Sequence, residues 1–440
     1  MNRQYTIEIN SIKFFAVSLA YRIFLDALYR HFISTTYRYV GFHDNFGALS
    51  FVLSIFLLAV ASMSAYKFYR DKKRFSSVIM LLLFFLSFIP FTSMVAFNAV
   101  DGKFTLCNTF YWLWLFWLCS RKKRWKIPAL GIKKRLMGET AIQIITVLSI
   151  AIVLFVSGYY AHFRINFNLD LVYDLREEAK LNSLPTILVY LFSWTKLVNV
   201  VLIAYFLRKK KYIWSAVLVA AQLLSFGYDG MKSTLFSTLI VIPICFIPKS
   251  SLRHFNKWIV FSLSFFVVMA AILYFQFRST VLTSMFVRRV MYLPVLLSSC
   301  FVDFFSTHTP DFFRASFLRH FGFSTPYPGV AKMIAGIYFN RPNMNANNGM
   351  IADAFTNLGY LGIIVMPMIL SFVLQIIDAV SADYDPRLYI ALSIPIASSL
   401  INSFILTILL THGLLVVMVI FSFMRRDEAV IIGATSEESY

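Results

Sequence analysis

Long apolar runs follow one another through this chain, with short basic clusters between them. A helix needs roughly 20 apolar residues to cross the hydrocarbon of a bilayer. By that measure spans are expected near residues 12–30, 47–67, 76–98, 105–120, 138–158, 185–207, 212–228, 233–248, 258–277, 359–380, 388–402 and 405–424. The predicted fold is all-α, a polytopic membrane helix bundle of about 12 transmembrane helices. The run from Leu388 to Met424 is too long for one helix and barely enough for two, so a tight turn is placed at Asn402-Ser403. Charged residues make up 14% of the chain, where a soluble domain carries roughly 25%. No polar block interrupts the pattern, so residues 1–440 read as one transmembrane domain. The 47 Phe suit lipid-facing helices and interfacial belts.

The net charge of +20 does not point to nucleic acid, because the bases sit in short clusters between apolar runs. That is the pattern of topology signals, in which Lys and Arg stay on the cytoplasmic side. With the N-terminus inside, inner connections hold Lys67, Arg70, Lys72, Lys73 and Arg74, eight bases from Arg121 to Arg135, and Arg208 to Lys211. Lys249, Arg253, Lys257, Arg425 and Arg426 join them. Both termini are therefore expected in the cytoplasm, with residues 427–440 as a tail. No cleavable signal peptide is expected, since no small-residue site follows a short apolar core. Cys107, Cys119, Cys245 and Cys300 match no metal spacing and imply no disulfide framework.

Two outer loops stand out, residues 159–183 and 278–358. In the second, the stretch from Val281 to Phe305 is largely apolar but carries Arg288-Arg289, Pro294 and Asp303. It is expected to form short helices that lie in the interface or re-enter the membrane. The loop holds Arg278, Arg288, Arg289, Arg314, Arg319, Lys332 and Arg341 against Asp303, Asp311 and Asp353. Topology gives no reason for these bases outside. Guanidinium groups grip phosphate as bidentate forks, so the cluster suits an anionic lipid headgroup such as a lipid-linked diphosphate. The plain alternative is pairing with local carboxylates or with phospholipid phosphates.

The first outer loop reads Asn168-Leu-Asp170-Leu-Val-Tyr173-Asp174-Leu-Arg176-Glu177-Glu178. On a helix Asp174 and Glu178 share a face. They are candidate general bases, with Arg176 as a phosphate ligand. The alternative is an interfacial helix start with local ion pairs. Asn345, Asn347 and Asn348, followed by Asp353, form an Asn-rich stretch unsuited to bulk core. Its amides suit sugar hydroxyls, and they suit turns equally. Lys196 lies mid-span, where a charge costs about 2.5–3.5 kcal/mol, so it must face a partner or polar cavity. Arg22 and Asp26 are four apart and are expected to pair. Gly230 permits a tight turn in Tyr228-Asp229-Gly-Met-Lys232, and Lys232 is a further cation near the chamber. His308 and His320 are outer-side candidates for proton transfer. No GxGxxG, Walker A, zinc or serine-elbow motif occurs, so a nucleotide-driven pump is not expected.

Several of these residues together resemble the O-antigen polymerase (Wzy) family, which polymerises the oligosaccharide repeat units of bacterial surface polysaccharides. The carriers are Leu171-Val-Tyr173-Asp174-Leu-Arg176, Asp229-Gly-Met-Lys232-Ser233, and Arg288-Arg289 with Pro294. Asn347-Asn348-Gly349, Asp353, Asn357-Leu-Gly359 and Ser399-Leu-Ile-Asn402-Ser403 also look similar. The likeness covers roughly residues 160–415, chiefly as topology and spacing. An Arg-x10-Gly pattern of some members is not matched, since nine residues separate Arg319 and Gly329. The resemblance implies a bundle related to membrane-embedded (GT-C-type) glycosyltransferases in a bacterial inner membrane. It implies transfer of a growing glycan from undecaprenyl diphosphate onto the next lipid-linked repeat unit, with no cofactor or metal. Arg176, Arg288, Arg289, Arg314, Arg319 and Lys232 would hold the diphosphate. Asn345, Asn347, Asn348 and Asp353 would meet sugar, and Asp174, Glu178 or His320 would take the acceptor proton. A chain-length regulator and a flippase of the same pathway are implied partners. The alternatives are an O-antigen ligase and a polysaccharide flippase or transporter. A transporter should show two similar halves, and none is visible here.

Overall fold

A computed structural model describes residues 2–71, 74–121, 139–164, 184–252, 254–316, 318, 321–327, 329–382 and 384–423. Helices dominate, and no strand occurs among the described residues. In chain order they are α1 (Asn2–Leu28), α2 (Ala48–Arg70), α3 (Phe75–Ala96), α4 (Gly102–Arg121) and α5 (Glu139–Ala161). There follow α6 (Thr186–Arg208), α7 (Tyr212–Asp229), α8 (Lys232–Phe246), α9 (Phe255–Phe277) and α10 (Thr283–Phe305). The last are α11 (Val330–Phe339), α12 (Ile351–Leu358), α13 (Gly362–Ser381), α14 (Pro386–Asn402) and α15 (Leu414–Phe423). Among the described residues, seven helical stretches are long and apolar enough to cross a membrane, which makes the chain a multi-pass membrane helix bundle. α14 ends at the expected Asn402-Ser403, where Ser403 is extended, and the run beyond it breaks again at His412-Gly413 before α15 rather than forming one helix.

α3 is the central helix. In its most apolar window 94% of residues are buried, against 28% in α9. Such a helix is apolar all round because it meets protein on every side. Phe84, Phe85, Phe88 and Phe91 are fully buried there. They pack edge-on or stacked against one another, Phe14, Trp112 and Phe116. Much of the phenylalanine content thus fills the core rather than facing lipid. Close packing of this kind holds membrane helices together, since lipid tails are as apolar as the side chains.

Polar contacts tie each end of the bundle. At one end Asn256 Nδ2 donates to the carbonyls of Phe68, Tyr69 and Asp71, which satisfies the open end of α2. Asp385 lies between Arg208 and Arg387 at 3.0 and 3.1 Å. Asp378 accepts from Ser76 N at 2.7 Å and from Ser76 Oγ at 2.5 Å. This is the basic end. At the opposite end Asn98 Nδ2 donates to Asn45 O at 2.7 Å, and Lys103 Nζ donates to Ser306 Oγ at 3.0 Å.

α10 is long enough to span, yet it does not run between the two ends. Its first turn meets Tyr37 through Ser284 at 2.9 Å, and Ser306, just past its last residue, meets Lys103. Midway, Tyr292 bonds Ser93 at 2.8 Å, and Leu296 lies against Gly41. All these partners belong to the end opposite the basic one. α10 therefore lies across that end, as an interfacial or re-entrant helix would. Its first half, Thr283–Tyr292, is a π-helix, and π-helical turns occur often at functional sites.

The segment after α11 returns into the bundle. Gly349 N donates to Ile401 O at 3.0 Å. A Cβ on Gly349 would overlap the carbonyl oxygens of Leu400 and Ser403, and one on Gly362 would overlap that of Ala354. Gly102 has open space in the same position. Overpacking of a filled site costs about 1–3 kcal/mol. Gly349→Ala is expected to lower both the yield of monodisperse protein and its thermal midpoint, whereas Gly102→Ala leaves both near wild type. Equal behaviour of the two variants would remove this close approach.

Candidate functional site

The arginines of the long loop do not share one fate. Arg288 lies over the face of Tyr37, with 4.1 Å from guanidinium carbon to ring centroid. One of its terminal nitrogens reaches Ser284 Oγ at 3.4 Å, and its buried Nε has no hydrogen-bond partner among the described residues. Arg289 follows about 100° round a helix and is exposed, with no hydrogen bond or ion pair among the described residues. Arg278 ends α9 in the left-handed region at φ +54° and is also exposed. Sequence reasoning missed the other wall of this corner. Tyr37, which carries the stacked guanidinium, and the neighbouring exposed Arg38 come from the far end of the first helix, some 250 positions earlier. A lone Tyr-Arg after a span gives no signal that it will meet a loop so distant in sequence.

Arg314 has a local task. It donates to the carbonyls of Asp311 at 2.8 Å and Pro310 at 3.3 Å, closing a turn around the buried Asp311 carboxylate. That carboxylate accepts from Ala315 N at 2.6 Å and from the Thr325 hydroxyl. His308 stacks on Phe304 at 3.9 Å. Tyr338 donates to Asp303 at 2.6 Å, and burial together with that carboxylate pushes its phenol above the ordinary range.

The Asn-rich stretch divides into exposed and buried residues. Asn345 and Asn347 are exposed. Asn348 is core after all, at 3% exposure. Its Nδ2 donates to Pro294 O and Ser298 Oγ, both at 2.9 Å, and its Oδ1 accepts from Gly349 N. Met350, next along, holds φ +48° and ψ −106°, a conformation that persists only where surroundings impose it. Asp353 is buried, accepting from Asn357 Nδ2 at 2.6 Å and Ile405 N at 2.6 Å. Its role is to join α12 to the chain beyond α14. Asn348, Gly349, Ser298, Asn108 and Trp112 line a small cavity beside Pro294. Pro294 and Ser298 lie six to ten residues beyond Arg288, so α10 carries the arginine corner and the Asn-rich segment roughly 10–15 Å apart.

A second polar centre lies inside the bundle. Lys196 forms an ion pair with Asp229 at the end of α7, touches Met231 Sδ at 2.9 Å and lies 5.1 Å from the Phe192 ring. It is mostly shielded, as the cost of a mid-span charge requires. Asp229 Oδ1 also accepts Met231 N at 3.0 Å, and Gly230 takes the left-handed φ of +61° that the hairpin needs. Lys232 starts α8, half-buried, against α6, α7 and α14, away from the neighbours of α10. Asp174, Arg176, Glu178, Arg319 and His320 lie outside the described residues. No group of three His, Cys, Asp or Glu side chains among the described residues is placed to hold a metal. Comparison of the chain with protein-family models, with curated proteins and with solved structures finds no match.

Removing one partner of a buried ion pair costs about 3–5 kcal/mol, while an apolar replacement of both is often neutral. Lys196→Met is therefore expected to lower the thermal midpoint sharply. Lys196→Met combined with Asp229→Leu should recover most of the loss. A double variant no better than the single one would show that the pair is not the interaction being lost.

Proposed function

We propose that the chain is a glycosyltransferase of surface-polysaccharide synthesis, a polymerase of lipid-linked oligosaccharide repeat units. The observation that carries this reading is α10, which lies across one end of the bundle with Arg288 and Arg289 on it and the Asn-rich segment anchored beside them. A pair of guanidinium groups next to lipid-facing helices suits a polyprenyl diphosphate. Exposed amides at Asn345 and Asn347 suit the hydroxyls of an attached glycan. In this reading the basic end faces the cytoplasm of a bacterial inner membrane, both termini lie there, and about 12 spans form a bundle akin to the GT-C glycosyltransferases.

The reaction follows from the leaving group. Undecaprenyl diphosphate departs as the acceptor hydroxyl attacks the anomeric carbon, and charge grows on the bridging phosphate oxygen. Arg288 and Arg289 stabilise that charge, which is electrostatic catalysis. Asp174, Glu178 or His320 takes the acceptor proton. Asn348 and Asp353 act in this scheme by fixing the segment that carries Asn345 and Asn347, and Arg314 by fixing its turn.

Loss of one charged donor at a transition state lowers rate by about 10²–10³. Arg289→Ala is expected to shorten or abolish long surface chains at normal protein level, with Arg289→Lys between it and wild type, since one ammonium cannot reproduce the fork. In a strain lacking the protein, single repeats on the acceptor indicate the polymerase, and no attached glycan indicates a ligase. Unchanged long chains in that strain, or in the Arg288→Ala/Arg289→Ala double variant, would overturn the reading. Reagents that cannot cross the membrane should label a cysteine introduced at Asn345 in intact cells. Labelling there only after lysis would reverse the orientation.

A further inference from the structure

The small cavity beside Pro294 is lined by buried polar groups to which the proposed transfer reaction gives no task. α4 supplies Asn108 and Trp112, four apart and so on one face of the helix. α10 supplies Ser298, and the Asn-rich segment supplies Asn348. Asn108 is 4% exposed and Trp112 is 2% exposed. Neither side chain makes a hydrogen bond with another described residue. Burial of an amide or an indole N–H without a partner is costly, and an apolar side chain would fill the same space without that cost.

The open hydrogen-bonding positions complement one another. Trp112 Nε1 can only donate, and Asn108 has both amide hydrogens and its oxygen open. Ser298 Oγ donates to Pro294 O and accepts from Asn348 Nδ2, each at 2.9 Å, which leaves it one acceptor position. Asn348 Oδ1 accepts from Gly349 N at 2.8 Å and keeps one acceptor position as well. Donors from α4 therefore meet acceptors from α10 and the Asn-rich segment. A group that fits between them must accept and donate at once. Water does both, and a buried water makes two to four bonds to polar groups otherwise unpaired. The cavity has room for about one water molecule. Phe104, Val295 and Ile401 in its lining are each 3% exposed or less, so a sugar ring does not enter.

We propose that this cavity binds one water molecule, which accepts from Trp112 Nε1 and Asn108 Nδ2 and donates to Ser298 Oγ and Asn348 Oδ1. The water ties α4 to the seat of the Asn-rich segment. The inference does not depend on the transfer reaction, since it rests on the cavity and its unpaired groups alone.

The test is a cryo-electron-microscopy map of the full-length wild-type protein, purified without added substrate, at a resolution that shows ordered water. Density is expected within about 2.7–3.2 Å of both Trp112 Nε1 and Asn108 Nδ2. A dry contact there, or a direct bond from Asn108 to Ser298 or Asn348, would overturn the proposal. Asn108→Leu gives a second reading, because it keeps the branching of Asn but bonds nothing. With water bound, the variant strips that water of a partner, and the thermal midpoint is expected to fall by roughly 2–4 °C. An unchanged or higher midpoint means that Leu has only relieved an unpaired amide, and it counts against the water. Ser298→Ala should then cost less in the Asn108→Leu background than in wild type, since both changes remove the same ligand. Additive losses would show that the two side chains share none. If Asn108→Leu does not fold, the wild-type map decides alone.

Discussion

A charge buried among apolar helices must find its counter-charge, and in this bundle that demand fixes how the helices meet. Ser54, Arg22, Asp26, Ser93 and Tyr292 form one chain of contacts through the interior, from α2 through α1 and α3 to α10. Arg22 is fully buried, with its Nε 3.3 Å from Asp26 and a terminal nitrogen 2.7 Å from Ser54. A slip of one turn in α2, α3 or α10 would take Ser54, Ser93 or Tyr292 away from the chain, while Arg22 and Asp26, four apart on α1, would stay together. Each such loss would leave a buried polar group short of a hydrogen bond, at about 1–3 kcal/mol. Register among helices that lipid would otherwise let slide is thus set by a few polar atoms.

That same demand made parts of the fold legible in the sequence. Arg22 and Asp26, four apart in an apolar run, announce their pairing, and Lys196 mid-span announces a partner without naming it. The partner, Asp229, lies across a helix contact at the end of α7, which no local pattern reveals. The helical runs themselves are legible because a stretch of roughly 20 apolar residues has one structural use. Asn348 misled because its composition looked like turn or sugar site, whereas its amide bonds α10 and the Gly349 N–H that also reaches Ile401 near the end of α14. Its neighbours Asn345 and Asn347 remain exposed, so the stretch alternates between an anchor and a displayed surface.

α10 shows where composition and length fail to decide. Its 23 residues and apolar content are those of a spanning helix, but Arg288-Arg289 near its start and Asp303 near its end suit an interface better. The contacts with Tyr37, Gly41 and Lys103 settle its course across the end of the bundle. The aromatic partner of Arg288 comes from the first helix, so the corner it forms exists only once the N-terminal and C-terminal halves have packed. A site made this way is invisible in any one segment of the chain.

The two polar centres are held by different parts of the molecule and answer to different constraints. In the arginine corner Arg288 rests on the face of Tyr37, with Arg289 exposed beside it. Lys196 and Asp229 lie within the helix contacts, where each charge depends on the other. Tyr292 is the point at which α10 is bound to the interior, through Ser93 to Asp26 and Arg22. The Asn348 anchor on Pro294 and Ser298 follows within two helical turns. Movement of α10 at the boundary must therefore disturb either the buried pair on α1 or the seat of Asn348. Both ends of α10 are thus tied to the same end of the bundle, and its middle is tied to that pair.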